Sequence, residues 1–136
     1  MADIFEEIGN WISGLFSNAP EVDHRHLVEG EIGKGLKNKV TRRVNYVLAE
    51  HGDRTYKIGK TGQPDLRVEY EDYSSSSYKK MYLLYQSDKK EHISHMEEYY
   101  IKLYKKKHPH RSDNIQMYSG GGMRSFDGKY HLYVII

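Results

Sequence analysis

Tyr46 and Lys57 stand eleven positions apart on either side of the turn-forming run His51-Gly52-Asp53-Arg54. Residues 44–50 are rich in strand formers and residues 55–59 read as a second strand, so the sequence predicts a hairpin. With an even turn centred between Gly52 and Asp53, Tyr46 faces Gly59 and Leu48 faces Lys57. The Tyr46 and Lys57 side chains then share one face of the ribbon, a placement that a one-residue slip would reverse. Further along, residues 89–107 read as a helix with Ile93, Met96, Tyr100, Ile101 and Tyr104 on one side. Glu97 falls on that stripe, where a carboxylate is costly unless it is paired or binds a metal ion. Glu98 points elsewhere, four residues before Lys102, and reads as half of an ordinary exposed i,i+4 pair. Glu97 is therefore the better candidate for chemistry.

Around these positions the sequence resembles the GIY-YIG nucleases. Asn45-Tyr46 stands where the first motif has isoleucine and tyrosine, and Lys57-Ile58-Gly59 where the second has tyrosine, isoleucine and glycine. An arginine is expected eight residues past that glycine, and Arg67 is there. The family's metal-binding glutamate opens an E-x-x-x-I pattern, matched by Glu97 and Ile101, and a late Asn-Ile before glycines is matched by Asn114-Ile115 and Gly120-Gly121. The resemblance spans residues 43–122. It departs in two places, since Val44 and Asn45 replace the opening glycine and isoleucine, and Lys57 replaces the second tyrosine. The lysine fits a K-I-G-x-T branch found in phage and mobile-element proteins, which Lys57-Ile58-Gly59-Lys60-Thr61 resembles, and it leaves the general base open.

The resemblance implies a divalent-metal-dependent endonuclease acting on DNA. Phosphodiester hydrolysis needs a deprotonated water, in-line attack and neutralisation of the charge that grows on the phosphate. In the implied site Glu97 holds one Mg2+ or Mn2+ ion with several retained waters. Arg67 binds the phosphate as a fork, and Tyr46 orients or deprotonates the water. Lys57 depresses the Tyr46 pKa or is itself the base, and Asn114 fixes the phosphate or a metal-bound water. Lys60, Lys105, Lys106, Lys107 and Arg111 are the expected nucleic-acid contacts. The alternative, motivated by Lys57 and the altered first motif, is a module of the same fold that binds nucleic acid without cutting it.

The elements that must carry these residues follow the order β-β-α-β-α-β-β. After the hairpin, Gly62 and Pro64 open a short helix reaching about Asp72. Residues 74–77 form a loop, 80–86 a third strand, 89–107 the long helix, 114–118 a short strand and 130–136 the terminal strand. The expected fold class is α+β, a small and mainly antiparallel β-sheet flanked by helices, preceded by an N-terminal amphipathic helix. In that helix Ile4, Phe5, Ile8, Trp11, Ile12, Leu15 and Phe16 share one face. Its acidic polar face suits docking on the protein's own domain, self-association or a partner's groove better than anionic lipid. Residues 21–40 read as a charged linker, so the expected division is an arm, 1–40, and a nuclease-like domain, 41–136.

Composition sets the outer limits. A chain of 136 residues has room for one ordinary core. The absence of cysteine excludes disulfides, thiolate metal sites and cysteine nucleophiles. The C-terminal apolar run that includes residues 133–136 and the run at residues 81–85 are both far short of the roughly 20 needed to span a bilayer. No basic segment precedes the apolar residues near the start, and the expected location is cytoplasmic. Residues 1–31 carry seven acids against Arg25 alone, a net −6, whereas residues 32–136 carry 20 bases against 12 acids, a net +8. A +8 domain suits a polyanionic partner, because each phosphate contact releases counterions. His24, His26, His108 and His110 lie in charged loops and read as solvated rather than metal-bound.

Overall fold

The computed structural model describes residues 19–115 and 123–136. The expected N-terminal helix and the glycines at 120–122 lie outside the described residues.

The centre of the sheet is β4 (Lys80–Ser87) beside β5 (Tyr130–Ile135), because their cores, residues 81–85 and 131–135, are buried at every position. Strands covered on both faces show continuous apolar runs instead of alternation. Antiparallel β3 (Lys57–Thr61) lies on the other side of β5. Short β1 (Glu21–Asp23) and β2 (Val28–Glu29) both run parallel to β4 on its remaining edge. The fold is thus α+β, with a mixed five-stranded sheet flanked by helices α1 (Lys34–Glu50), α2 (Pro64–Arg67), α3 (Glu71–Ser74) and α4 (Lys90–Lys107). Among the described residues no helix is long and apolar enough to cross a membrane.

The register divides the side chains between two faces. Ile58, Tyr82, Leu132 and Val134 meet Val40, Val44, Val47 and Leu48 of α1 and Ile93, Met96, Tyr100 and Tyr104 of α4 in the larger core. Met81, Leu83, Tyr133 and Ile135 point the opposite way and pack with Val68 and Tyr73 in a smaller one. Pro64 occupies the first turn of α2 as expected, where its missing N–H has no helical partner to lose.

The expected hairpin is not formed. Residues 44–50 are the second half of α1, and Val40, Val44, Val47 and Leu48 recur at helical spacing to bury one side of it. Their β-branching made the segment resemble a strand, but packing against β4 outweighs so small a propensity. Gly52, at φ 59°, directly follows the helix as a left-handed stop and not as a hairpin turn. Residues 21–40, read as linker, contribute β1, β2 and the start of α1. The sheet is mixed because β1 and β2 run parallel to β4. Asn114 and Ile115 are not in a strand, and residues 116–118 lie outside the described residues.

Candidate functional site

Strand β3 ends the order of the sheet, and α4 packs against it. The β3–β5 register sets Gly59 opposite Tyr133. A side chain at Gly59 would collide with Cζ and the hydroxyl of Tyr133, so the glycine is what allows this ring to lie across β3. The Tyr133 hydroxyl is 2.6 Å from that of Tyr73, and the two rings meet edge-to-face at 6.1 Å. Both tyrosines are buried.

Arg67 is carried to this pair by the single turn of α2. Its guanidinium lies 3.9 Å from the Tyr73 ring centroid and 5.5 Å from that of Tyr70. Two parallel hydrogen bonds of 2.8 Å join it to both carboxylate oxygens of Asp72. Lys57 Nζ lies 5.7 Å from the Tyr73 ring. From α4 comes Glu97, 7% exposed, with Oε1 3.9 Å from Lys60 Nζ. Lys60 also donates to Ser94 Oγ at 3.1 Å.

The electrostatics follow from burial and these partners. Burial pushes the Tyr133 phenol well above its ordinary pKa, with smaller increases from Tyr73 and from the negative charge of Glu97. Burial also raises Tyr73, opposed by its hydrogen bond to Tyr133 and by the Arg67 charge. Both hydroxyls therefore keep their protons at neutral pH and act as hydrogen-bonding groups. For Arg67 burial works against the charge, but the Asp72 hydrogen bonds and the tyrosines more than offset it, and its pKa is raised. Asp72 is held below the usual carboxylate range by its hydrogen bond from Arg67.

The structure brings Lys57 and Arg67 together at the Tyr73 ring and Lys60 together with Glu97, but places Tyr46 with neither pair. Tyr46 is 54% exposed on α1, its hydroxyl bonds Glu50, and its ring faces His26 at 5.4 Å. Its neighbour Asn45 accepts a hydrogen bond from Tyr104 at 2.6 Å. The helix thus uses both residues of the supposed first motif for packing. Glu98 is exposed and paired with Lys102 at 2.8 Å, as expected.

Asn114 is buried, and its amide spends itself on Ile58, accepting from the backbone N–H at 2.9 Å and donating to the carbonyl at 2.8 Å. Together with Tyr56 N–H to Arg111 O and Asp113 N–H to Tyr56 O, it covers the outer edge of β3 as a strand would. Lys105 donates to the carbonyls of Ser112 and Asn114, and Arg111 to those of Arg54 and Leu48. These two cations hold the loop in place. Lys106 and Lys107 are exposed at the end of α4, with Lys107 Nζ 5.8 Å from the Tyr104 ring.

Sequence reasoning missed Tyr133, Tyr73 and Asp72. The glycine of Lys-Ile-Gly was the available signal, since a bare strand position marks the close approach of another group. Nothing in the sequence says that the group comes from residues 130–135.

The chain has no counterpart among the proteins compared: no family model, no curated protein and no solved structure matches it.

As for a metal ion, no group of three His, Asp or Glu side chains converges among the described residues. Glu97 supplies a hard oxygen donor beside Lys60, and its charge is felt by the Tyr73 and Tyr133 hydroxyls. One carboxylate fits the mode in which Mg2+ keeps most of its waters and takes the rest of its ligands from a substrate phosphate.

Proposed function

We propose that this protein is a divalent-metal-dependent endonuclease of the GIY-YIG kind, acting on DNA. The observation that carries the reading is the stacking of the Arg67 guanidinium on Tyr73, beside the Tyr73–Tyr133 hydroxyl pair and within the field of Glu97. An obligate cation, two fixed hydroxyls and a nearly buried carboxylate are the types that phosphodiester hydrolysis uses.

In this reading Arg67 grips the phosphate and neutralises charge that grows as the bond breaks. The tyrosine part assigned to Tyr46 passes to the Tyr73–Tyr133 pair, whose protonated hydroxyls orient a water and hand protons along a 2.6 Å bond. Lys57 adds positive potential over Tyr73 and favours the ionised form of whichever phenol gives up its proton. Glu97 would hold the divalent ion, which supplies Lewis-acid charge at the phosphate when bound.

One observation favours the second reading, a module that binds nucleic acid without cutting it. Asp72 fills the Arg67 fork in the same two-bonded geometry that a phosphate would use. Incubating the protein with supercoiled plasmid and Mg2+, beside Glu97→Gln and Glu98→Ala controls, separates the two. Nicking by the wild type and Glu98→Ala but not by Glu97→Gln supports the nuclease. Retained plasmid binding with no nicking by any of the three leaves the binding module.

A further inference from the structure

A cavity of about 510 Å3 opens at the end of β3, and Arg67, which stacks on Tyr73, is in its lining. Three of its lining residues, Lys60, Arg67 and Arg124, are cations. Three others, Leu66, Tyr70 and Met123, are apolar, and Leu66 and Tyr70 are 47% and 53% exposed. Lone exposed apolar side chains are ordinary. Here they line the concavity that holds the phosphate-binding arginine. The Arg67 guanidinium lies over one face of the Tyr70 ring at 5.5 Å, which leaves the other face for a base close to the phosphate fork.

A duplex laid along a basic surface needs cations but no cavity, because its bases are stacked inside and only its backbone meets the protein. This half-open concavity has a volume within the range of about 300–1,000 Å3 typical of small-ligand sites. We infer that the cavity takes one unstacked nucleotide, its base against Tyr70 and Leu66 and its phosphate toward Arg124 and toward Arg67, whose fork it would take over from Asp72. The substrate class is then single-stranded nucleic acid, or a strand with a nucleotide splayed out of its helix, and not uniform duplex. Base–aromatic stacking supplies affinity whatever the base, since every base has a π-face. The inference rests on the Proposed function only for Arg67 as the phosphate contact.

The test is binding without cleavage. Fluorescence anisotropy in EDTA compares a 12-nucleotide oligo(dT) with a hairpin duplex carrying the same number of phosphates, for the wild type, Tyr70→Ala and Tyr70→Phe. Tyr70→Ala should weaken oligo(dT) binding roughly 5- to 100-fold, leave the duplex within twofold, and be rescued by Tyr70→Phe. Competition by thymidine monophosphate that is lost in Tyr70→Ala shows that one nucleotide suffices to fill the site. Equal weakening of both DNAs, no weakening of either, or failure of the wild type to bind oligo(dT) overturns the inference. Because no metal is present, absence of a Tyr70 effect with intact nicking refutes the pocket alone, whereas a Tyr70-dependent binder that cuts neither plasmid nor oligo(dT) when Mg2+ is added refutes the nuclease alone.

Discussion

Replacing Gly59 by alanine tests the geometry of the site with one methyl group. That carbon would overlap Cζ, the hydroxyl and Cε1 of Tyr133. The ring cannot swing aside freely, because it is 2% exposed, paired with Leu83 on β4 and hydrogen-bonded to buried Tyr73. Overpacking a tight core costs about 1–3 kcal/mol, and separating the two buried hydroxyls adds about 1–2 kcal/mol. The expected loss is about 2–5 kcal/mol, a large share of a typical total of about 5–15 kcal/mol. Urea titration should show the lowered midpoint, and plasmid nicking should fall with it. Gly35→Ala in α1, where an added carbon meets nothing within 4 Å, is the control and should hold or raise stability. Combining Gly59→Ala with Tyr133→Leu should restore much of the stability without restoring nicking. A Gly59→Ala protein as stable as the wild type would refute the close approach. A stable double variant that nicks normally would remove Tyr133 from the site.

Asn114→Ala should cost about 2–4 kcal/mol of stability, read from urea titration, because it strips both polar groups of buried Ile58 of their partners; a neutral outcome would show that water replaces the amide. Asp72→Asn should open the Arg67 fork, raising DNA affinity several-fold and steepening its salt dependence; a fall in affinity would make Asp72 a positioning partner instead. Stability should also depend on pH in two ranges. His131 is pushed below the usual 6.5 by burial, so the unfolded chain takes up its proton first and stability declines as the pH drops below about 6.5. Asp23 and Asp72 are held low by hydrogen bonds from Arg25 and Arg67, and the stability they add above about pH 3.9 is lost as the pH falls through their folded values. Urea midpoints that stay flat from pH 7 to 3 would contradict both assignments.

Local pattern was enough where one element's own periodicity carried the information. The spacing of Ile93, Met96, Tyr100, Ile101 and Tyr104 defines the buried side of α4, and this alone separates buried Glu97 from exposed Glu98. The apolar runs of β4 and β5 and the proline opening α2 were equally legible. Residues 44–50 were not, because a short β-branched run fits a strand or one side of a helix, and only the partner surface on β4 decides. Lys105 in the last turn of α4 and Arg111 in the loop after it looked like phosphate contacts because the carbonyls they bind belong to segments that only folding brings near. The tyrosine at the site depended most on tertiary structure. Strand pairing is set by hydrogen bonds between residues far apart in the chain, and β3 pairs with residues some seventy positions later. Tyr133 thus reaches Gly59 through the register of β5, whereas Tyr46, eleven positions before Lys57, is carried off on the outer side of a helix.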